Sequence, residues 1–155
     1  MRGGDRYDVV IIGGGQAGPS LAHGLAKAGR RAALAERKDL GGSCVNFGCT
    51  PTKAAIASAR VAHDARRARD FGLEVPTVTV DFPAVLRRAR DILMESRRGL
   101  EQWFEGSENP ALLRGHARLE GRDGRDFRVQ VGDTAVTAGQ VVIDSAERPP
   151  RKPPG

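Results

Sequence analysis

The 155-residue sequence predicts an α/β fold in which a parallel β-α-β unit is followed by long helices and an antiparallel β-meander. Three observations predict this class. A strand-like segment, a glycine-rich segment, a helical segment and a second strand-like segment follow one another near the amino terminus, which is the order of a β-α-β unit. Two long segments with helical spacing of apolar residues come next. The spacing then changes to a period of two, with glycine-rich turns between short segments.

The β-α-β unit begins with YDVVII at residues 7–12, a short β-branched segment that is typical of a buried strand. The helix that follows has Leu21 and Leu25 at helical spacing and ends at Gly29, which we expect to act as its C-cap. RAALAE at residues 31–36 is the second strand. Two parallel strands joined by a helix imply a right-handed crossover.

The long helices are expected at residues 50–70 and 82–104. The first would have Thr50 as its N-cap and Pro51 at its first helical position. The connector between the helices, FGLEVPTVTVDF, contains a strand-like patch. Four short strands would then form the meander, in ALLRGHARLEG, DFRVQVG, TAVTAG and QVVIDSA.

Length and composition indicate one globular domain, since 39% of the residues are hydrophobic and 28% are charged. We assign residues 7–147 to this domain, with a flexible amino-terminal tail at residues 1–6 and a proline-rich carboxyl-terminal tail at residues 148–155. The first apolar segment is too short for a signal-peptide core, and no apolar run approaches the roughly 18 residues of a membrane span. We therefore expect a cytoplasmic protein that makes no membrane contact.

The net charge of +6 raises the question of nucleic-acid binding. The arginines are scattered or lie in HDARRARDF and VLRRARDILMESRRGL, where acidic residues stand three or four positions away. That pattern is typical of a solvated helix face. One Trp and one Tyr cannot form an extended platform for stacking bases. We expect no nucleic-acid partner.

Gly13, Gly15 and Gly18 form a G-x-G-x-x-G motif between the first strand and the first helix. Gly13 permits a tight turn, Gly15 lets a pyrophosphate approach the backbone, and Gly18 lets helix and strand pack closely. Glu36 ends the second strand, where its carboxylate would accept hydrogen bonds from both hydroxyls of an adenosine ribose and repel a 2′-phosphate. The alternative is a glycine-rich turn with a solvated glutamate. The motif predicts a Rossmann-like dinucleotide site and leaves NAD and FAD open.

Cys44 and Cys49, the only cysteines, are separated by VNFG. A zinc site would need about four ligands, and the three histidines stand at no zinc-binding spacing. A structural disulfide that closes so short a loop would stabilise little. The third interpretation is a redox-active pair, in which one cysteine attacks an external disulfide or binds a soft metal ion and the other resolves the product.

The position of each sulfur favours the redox interpretation. Cys49 lies at the positive start of a predicted helix, which favours a thiolate. Cys44, close to two glycines, is expected to be the more accessible sulfur. Lys53, one turn into the helix, would place a cation near a cofactor ring, or it is an ordinary surface lysine.

Three segments, DVVIIGGGQAG, LAERKDLGG and GGSCVNFGCTPTK, resemble the class I flavoprotein disulfide oxidoreductases, which include dihydrolipoamide dehydrogenase, glutathione reductase and mercuric reductase. The third segment closely matches the redox-active signature of that family. The segments ASARVAHDARRARDFGLE and SRRGLEQWFEG look most like its mercuric-reductase-like branch. The resemblance covers residues 7–155 and implies that the dinucleotide is FAD.

The resemblance also implies roles for individual residues. Cys49 would be the sulfur in charge-transfer contact with the flavin, Cys44 would be the interchange thiol, and Lys53 would complete the catalytic group. The residues implied to hold FAD are Gly13, Gly15, Gln16, Ala17 and Gly18 at the pyrophosphate, Glu36 at the adenosine ribose with Arg37 next to it, Gly42, Ser43 and Lys53 on the flavin side, the backbone of His116 and Ala117 at the adenine, and Ser145 after the last strand.

The chain departs from the family pattern in two ways. Ser145 and Ala146 stand where the family has a Thr-Gly turn, and Glu147 adds a charge, so the local FAD contact is altered. The family also continues through an NAD(P)H domain and a dimerisation domain, which we do not find in this sequence. We therefore expect a fold that is incomplete relative to the full family fold.

The expected function is that of the FAD-binding, redox-active-disulfide portion of an NAD(P)H-dependent flavoprotein disulfide oxidoreductase, with electrons passing from the flavin to Cys44 and Cys49. The expected substrate is a disulfide or Hg(II). The family is homodimeric, although the dimerisation domain is expected to be absent here. The alternative is a truncated, non-catalytic FAD-binding remnant.

Overall fold

The computed structural model describes residues 5–145. The predicted proline-rich tail at 148–155 lies outside the described residues, as do Ala146 and Glu147 and the first four residues of the predicted amino-terminal tail. Arg6, which we assigned to that tail, is the first residue of a strand.

Strands and helices alternate at first, and the remaining helices then precede the remaining strands. The strands are β1 (Arg6–Ile12), β2 (Ala32–Glu36), β3 (Ala111–Arg114), β4 (Ala117–Asp123), β5 (Asp126–Val131) and β6 (Thr134–Ile143). The helices are α1 (Gly18–Lys27), α2 (Gly42–Asn46), α3 (Cys49–Arg66) and α4 (Phe82–Gln102), with a 3₁₀ turn at Ala68–Phe71. Within residues 5–145, none of these helices has the length and apolar character to cross a membrane.

The strands form one six-stranded sheet in the order β3-β2-β1-β6-β5-β4. β1 pairs in parallel with β2 on one side and with β6 on the other, and β3 pairs in parallel with β2. β4, β5 and β6 are antiparallel neighbours. The predicted α/β class, with its Rossmann-like β-α-β unit, long helices and antiparallel meander, is confirmed.

The meander has three strands instead of the four predicted. β3 belongs to the parallel part of the sheet, because it pairs with β2. The predicted strands TAVTAG and QVVIDSA are one continuous strand, β6, which pairs with β5 through its first half and with β1 through most of its length. A period of two predicts a strand but does not identify its partner, so the sequence alone could not separate these cases.

Both faces of the sheet are apolar. One buried cluster contains Val10 and Ala33 together with side chains of β5 and β6. The other contains Ile11, Leu34 and Ala22 of α1. Neighbouring residues of β1 and β2 belong to different clusters because successive side chains of a strand point to opposite faces.

The carboxyl end of α1 lies where the sequence predicted it. Gly29 follows the C-cap residue Ala28, has a φ of +74°, and donates to the carbonyl oxygen of Ala26 at 3.0 Å. The N–H of Arg30 donates to the carbonyl oxygen of Leu25 at 2.9 Å. These two bonds form a Schellman motif, which needs a left-handed residue at position 29.

The helix after the cysteines begins earlier than predicted. Gly48 is the N-cap of α3 and Cys49 is its first residue, so the predicted N-cap, Thr50, lies in the first turn. Pro51 is tolerated there because N–H groups of the first turn have no acceptor within the helix. The strand-like patch predicted in the connector is not a strand, since residues 73–81 are almost all exposed and pair with no strand.

The chain divides into two compact units. The sheet unit consists of residues up to Gly42 and from Leu100 onwards, and it contains the six-stranded sheet and α1. The helical unit, Ser43–Gly99, contains α3, the 3₁₀ turn and most of α2 and α4.

Candidate functional site

In the sheet unit, the carboxyl ends of the parallel strands lie at one edge of the sheet. β1, β2, β3 and β6 end at Ile12, Glu36, Arg114 and Ile143. The strand registers pair Ile12 with Ile143 and Glu36 with Arg114, so these ends are neighbours. Ligands of open α/β sheets bind outside this edge. The residues that follow these strand ends are therefore the binding candidates of this unit.

The turn after β1 requires two of the motif glycines for its own packing. Gly13 has a φ of +105°, and a Cβ there would lie 2.3 Å from the carbonyl oxygen of Asp144. A Cβ on Gly18 would lie 2.5 Å from the carbonyl oxygen of Gly13. Both distances are shorter than real Cβ contacts, so a side chain at either position would disrupt the turn.

Glu36 points its carboxylate towards this turn. Oε2 accepts a hydrogen bond from the N–H of Gly14 at 2.7 Å, and Oε1 accepts one from the N–H of Lys38 at 2.7 Å. A carboxylate has lone pairs for further donors. The side chain is thus held in place by the backbone and keeps acceptor capacity. Arg37, the next predicted site residue, is exposed.

The segment that leads into α2 packs against the same turn. The Gln16 side chain donates from Nε2 to the carbonyl oxygen of Gly41 at 3.0 Å. The N–H of Gly41 donates to the carbonyl oxygen of Gly14 at 2.7 Å. Gly42 has a φ of +56°, and a Cβ there would lie 3.0 Å from the Cα of Gly15. The close approach explains why a glycine is needed at position 42.

The start of α1 is bound by an acidic residue from a distant part of the chain, Asp144, which the sequence analysis missed. The exposed N-cap residue Ala17 makes no side-chain cap, and the N–H of Gly18 donates to Oδ2 of Asp144 at 2.6 Å. Asp144 follows β6, and its own N–H donates to the carbonyl oxygen of Ile12 at 2.8 Å. The pairing of β6 with β1 joins distant parts of the chain, so the sequence signalled only an acid after a strand. Ser145, the last described residue, is exposed.

The predicted adenine contacts, His116 and Ala117, lie where β3 leads into β4. The carbonyl oxygen of His116 accepts a hydrogen bond from the N–H of Gly132 at 3.1 Å. The N–H of Gly115 donates to the carbonyl oxygen of Glu36 at 3.1 Å. The backbone here is therefore tied to the end of β2 on one side and to the meander on the other, and the His116 side chain is exposed.

In the helical unit, Cys44 lies within α2 and is half-buried, whereas Cys49 is the first residue of α3 and is exposed. Both are thiols. The expectation that Cys44 is the more accessible sulfur is wrong, because Cys44 lies inside a helical turn next to the buried Val45 while Cys49 stands at an open helix end. The N–H of Gly48 donates to the carbonyl oxygen of Ser43 at 2.8 Å, which folds the intervening loop back on itself.

A hydrogen bond with the Cys49 side chain, and after it burial, raises the pKa of Cys44. The positive charge of Lys53, an exposed residue of α3, acts in the opposite direction. Cys44 therefore keeps its proton to a higher pH than an isolated thiol, and Lys53 favours the release of that proton.

The loop between the cysteines is also bound by α4. Asn46 is a buried polar residue with 7% of its surface exposed. Its Oδ1 accepts hydrogen bonds from Nε and Nη2 of Arg97, at 3.0 and 2.6 Å. Sequence analysis identified neither residue, because nothing local in the sequence links them. These two bonds attach the segment between the two cysteines to α4.

The histidines of the described region do not come together at the glycine turn or at the cysteine pair. His23 packs against the rings of Trp103 and Phe104, with centroid distances of 5.3 and 5.0 Å. Within residues 5–145, no group of three or more His, Cys, Asp or Glu side chains is arranged to hold a metal ion.

Comparison with known proteins identifies relatives for almost the whole chain. The dihydrolipoyl dehydrogenases of Chlorobaculum parvum and Chlamydia pneumoniae are 32% and 34% identical over 93% and 96% of this chain, which corresponds to 31% and 32% of those proteins. A solved structure of the HOCl-induced flavoprotein disulfide reductase RclA from Escherichia coli, in its Cu(II) complex, matches with a TM-score of 0.68 at 28% identity over 94% of this chain and 30% of that one.

The chain thus spans about a third of the length of these relatives. A family model described as pyridine nucleotide-disulphide oxidoreductase matches residues 7–151. The family resemblance found in the sequence is confirmed, and this chain belongs to the pyridine nucleotide-disulphide oxidoreductase family.

Proposed function

We propose that this chain is the FAD-binding, redox-active-disulfide portion of an NAD(P)H-dependent flavoprotein disulfide oxidoreductase, in which Cys44 and Cys49 exchange electrons with the flavin. One observation carries the proposal: a loop that folds back on itself and bears two free thiols, Cys44 and Cys49, follows in the chain a glycine turn at the carboxyl edge of a parallel sheet. Membership of a family named for nucleotide-linked disulfide chemistry supports it.

The glycine turn suits a dinucleotide. Gly15 presents backbone without a side chain just before α1, where backbone N–H groups and the positive helix end favour phosphate. Glu36 is oriented by two backbone donors and retains acceptors for ribose hydroxyls. When bound there, FAD would supply a two-electron carrier. The residues proposed to hold it are Gly13, Gly15, Gln16, Ala17, Gly18, Glu36, Arg37, Gly42, Ser43, Lys53, His116, Ala117 and Ser145.

The thiol pair would reduce a disulfide in two exchanges. The Cys44 thiolate attacks one sulfur of the substrate, the substrate S–S bond breaks, and the first product thiolate leaves. The Cys49 thiolate then attacks the sulfur of Cys44 and releases the second product thiolate. The substrate gains the two electrons that the pair loses, and the two protons of the pair pass to the products. The Cys44–Cys49 disulfide must then take up two electrons and two protons to become two thiols again, and FAD bound at the glycine turn would supply those electrons from NAD(P)H.

Charge near the pair would set the fraction of reactive thiolate. Cys44 attacks only after it loses its proton, and its hydrogen bond with Cys49 opposes that loss. Lys53 favours the loss, which gives this exposed lysine a function in the proposal.

We propose a disulfide as the substrate. Hg(II) and the mercuric-reductase-like branch, both expected from the sequence, find no support in the relatives named above. We further propose that the whole protein is a homodimer, and that it works in the cytoplasm, where thiols are kept reduced.

Titration of the full chain with FAD tests the first half of the proposal. Binding should quench flavin fluorescence and saturate. Glu36→Gln should raise the Kd about tenfold, because a charge-assisted hydrogen bond to the ribose is weakened while the amide oxygen still accepts from Gly14. Glu120→Gln, which removes the charge of an exposed residue of β4, should leave the Kd unchanged. Absence of saturable FAD binding would contradict the proposal.

A second assay separates the catalytic function from the alternative. The chain is mixed with FAD, NAD(P)H and the separately produced NAD(P)H-binding part of a relative. Under these conditions it should reduce a small disulfide. Cys44→Ser should abolish the reduction of that disulfide. FAD binding with no reduction of the cysteine pair would instead support a non-catalytic FAD-binding protein.

A further inference from the structure

A carboxylate lies at the point of the glycine turn where a phosphate would be favoured. Oδ2 of Asp144 accepts a hydrogen bond from the N–H of Gly18 at 2.6 Å. The two carboxylate oxygens also lie 2.9 and 3.1 Å from the position that a Cβ on Gly15 would take. The space left open by Gly15 is therefore filled in part by a side chain of the protein itself.

The same features that favour a phosphate here favour this carboxylate. The first turn of a helix offers N–H groups without partners and a partial positive charge, and either anion satisfies them. A dinucleotide brings a pyrophosphate with negative charges to the same turn. With Asp144 in this position, one donor is occupied and a like charge faces the incoming phosphates.

The backbone of Asp144 is fixed, so only its side chain can move aside. Its N–H is bonded to the carbonyl oxygen of Ile12 at 2.8 Å, continuing the parallel pairing of β6 with β1. Its carbonyl oxygen packs against Gly13 so closely that no Cβ fits between them. Release of the Gly18 N–H therefore requires rotation of the Asp144 side chain.

We propose that Asp144 is an affinity-determining residue of the dinucleotide site, which competes with the pyrophosphate for the amino-terminal N–H of α1. The inference rests on the proposed function, since it concerns the site at which FAD would bind. It predicts that FAD binds more weakly to this chain than the glycine turn alone would allow.

The test compares FAD binding by the full chain with binding by Asp144→Asn. Asparagine keeps an oxygen that accepts from the Gly18 N–H but removes the charge. The Kd for FAD should fall at least about tenfold, which corresponds to a gain of about 1.4 kcal/mol in binding free energy. Adenosine, which lacks phosphate, should bind both proteins equally. Asp144→Ser, with a shorter and uncharged side chain, provides a second variant if the first unfolds.

Asp8→Asn is the matched control. Asp8 also accepts a backbone hydrogen bond, from the N–H of Arg31 at 2.9 Å, but it lies in β1 about 16 Å before the turn. Its loss changes the net charge equally and should leave the Kd for FAD unchanged.

The outcomes separate the inference from the proposed function. If the wild type binds FAD and the Asp144 variants bind it equally or more weakly, the inference is wrong and the proposed function stands. If neither the wild type nor the variants bind FAD, the proposed function fails and the inference fails with it. Tighter binding by an Asp144 variant alone supports both.

Discussion

The sheet unit and the helical unit bury different kinds of residue. Val10, Ile11 and Leu34 of the sheet unit have no exposed surface, and they lie in continuous apolar clusters. The buried side chains described for the helical unit are small or polar, namely Val45, Asn46, Ala54, Ala68 and Ala89. Larger apolar side chains of that unit are exposed, among them Phe47, Ile56, Val61, Phe71 and Leu86.

Polar contacts take the place of a core in the helical unit. Arg97 binds the side chain of Asn46, and Nη1 of Arg88 donates to the carbonyl oxygen of Ala54 at 3.0 Å. The glycine turn is thus built on a densely buried sheet, whereas the cysteine pair is built on helices joined by a few hydrogen bonds. Burial stabilises more than such bonds do. The two parts of the proposed chemistry should therefore respond differently to mutation.

The largest difference is expected for leucines in the two units. Leu34→Ala removes a fully buried side chain and should lower the free energy of unfolding by about 2–5 kcal/mol. Leu86→Ala, at a position with 52% of its surface exposed, should change it by no more than about 0.5 kcal/mol. Urea unfolding followed by circular dichroism measures both. Equal losses of unfolding free energy for the two variants would show that the two units do not differ in how much apolar surface they bury.

A smaller effect is expected from the contact that holds the cysteine loop. Arg97→Met removes two hydrogen bonds to a buried amide and should destabilise the helical unit by about 1–2 kcal/mol. Hydrogen exchange of the amides in residues 43–54 should become faster, with little change in β1. Arg97→Lys should restore part of the protection, and Arg98→Met, at an exposed neighbouring position, should have no effect. Unchanged hydrogen exchange in Arg97→Met would show that the contact between Arg97 and Asn46 does not hold the cysteine loop.

The smallest effect concerns the protonation of Cys44. Cys49→Ala removes the main cause of its raised pKa, so the midpoint of its alkylation by iodoacetamide should move to lower pH. Lys53→Met removes the opposing charge and should move the midpoint to higher pH. Fragmentation mass spectrometry, which distinguishes an alkyl group on Cys44 from one on Cys49, follows the alkylation of Cys44 in each variant. Shifts in the same direction for both variants would contradict the arrangement of charges described here.

Local signals in the sequence predicted the elements that need only local information. The order of apolar segment, glycine motif, helix and second apolar segment predicted β1, α1 and β2 within one or two residues, and Gly29 marked the end of α1. These features follow from burial on both strand faces and from the conformational freedom of glycine. The cysteine pair was found for the same reason, because its residues lie close together in the chain.

Long-range contacts escaped prediction. Asp144 reaches the start of α1 only because β6 inserts beside β1, and Arg97 reaches Asn46 only because α4 packs near the cysteine loop. The alternation of apolar residues gave no partner for either element. Strand register and helix packing are properties of the folded chain, so the residues that they bring together had to be read from the structure.

The central claim is that the glycine turn holds a flavin that exchanges electrons with the cysteine pair. It is tested most directly by the absorption spectrum of the FAD-saturated chain during anaerobic two-electron reduction. We predict a long-wavelength shoulder that appears in the wild type when two electrons reduce the cysteine pair and leave the flavin oxidised. The shoulder should already be present before reduction in Cys44→Ser, whose Cys49 is a free thiol from the start, and should be absent from Cys49→Ser, because only a thiolate in contact with the oxidised ring produces it. A flavin spectrum that reduces identically in the wild type and in Cys49→Ser would contradict the claim.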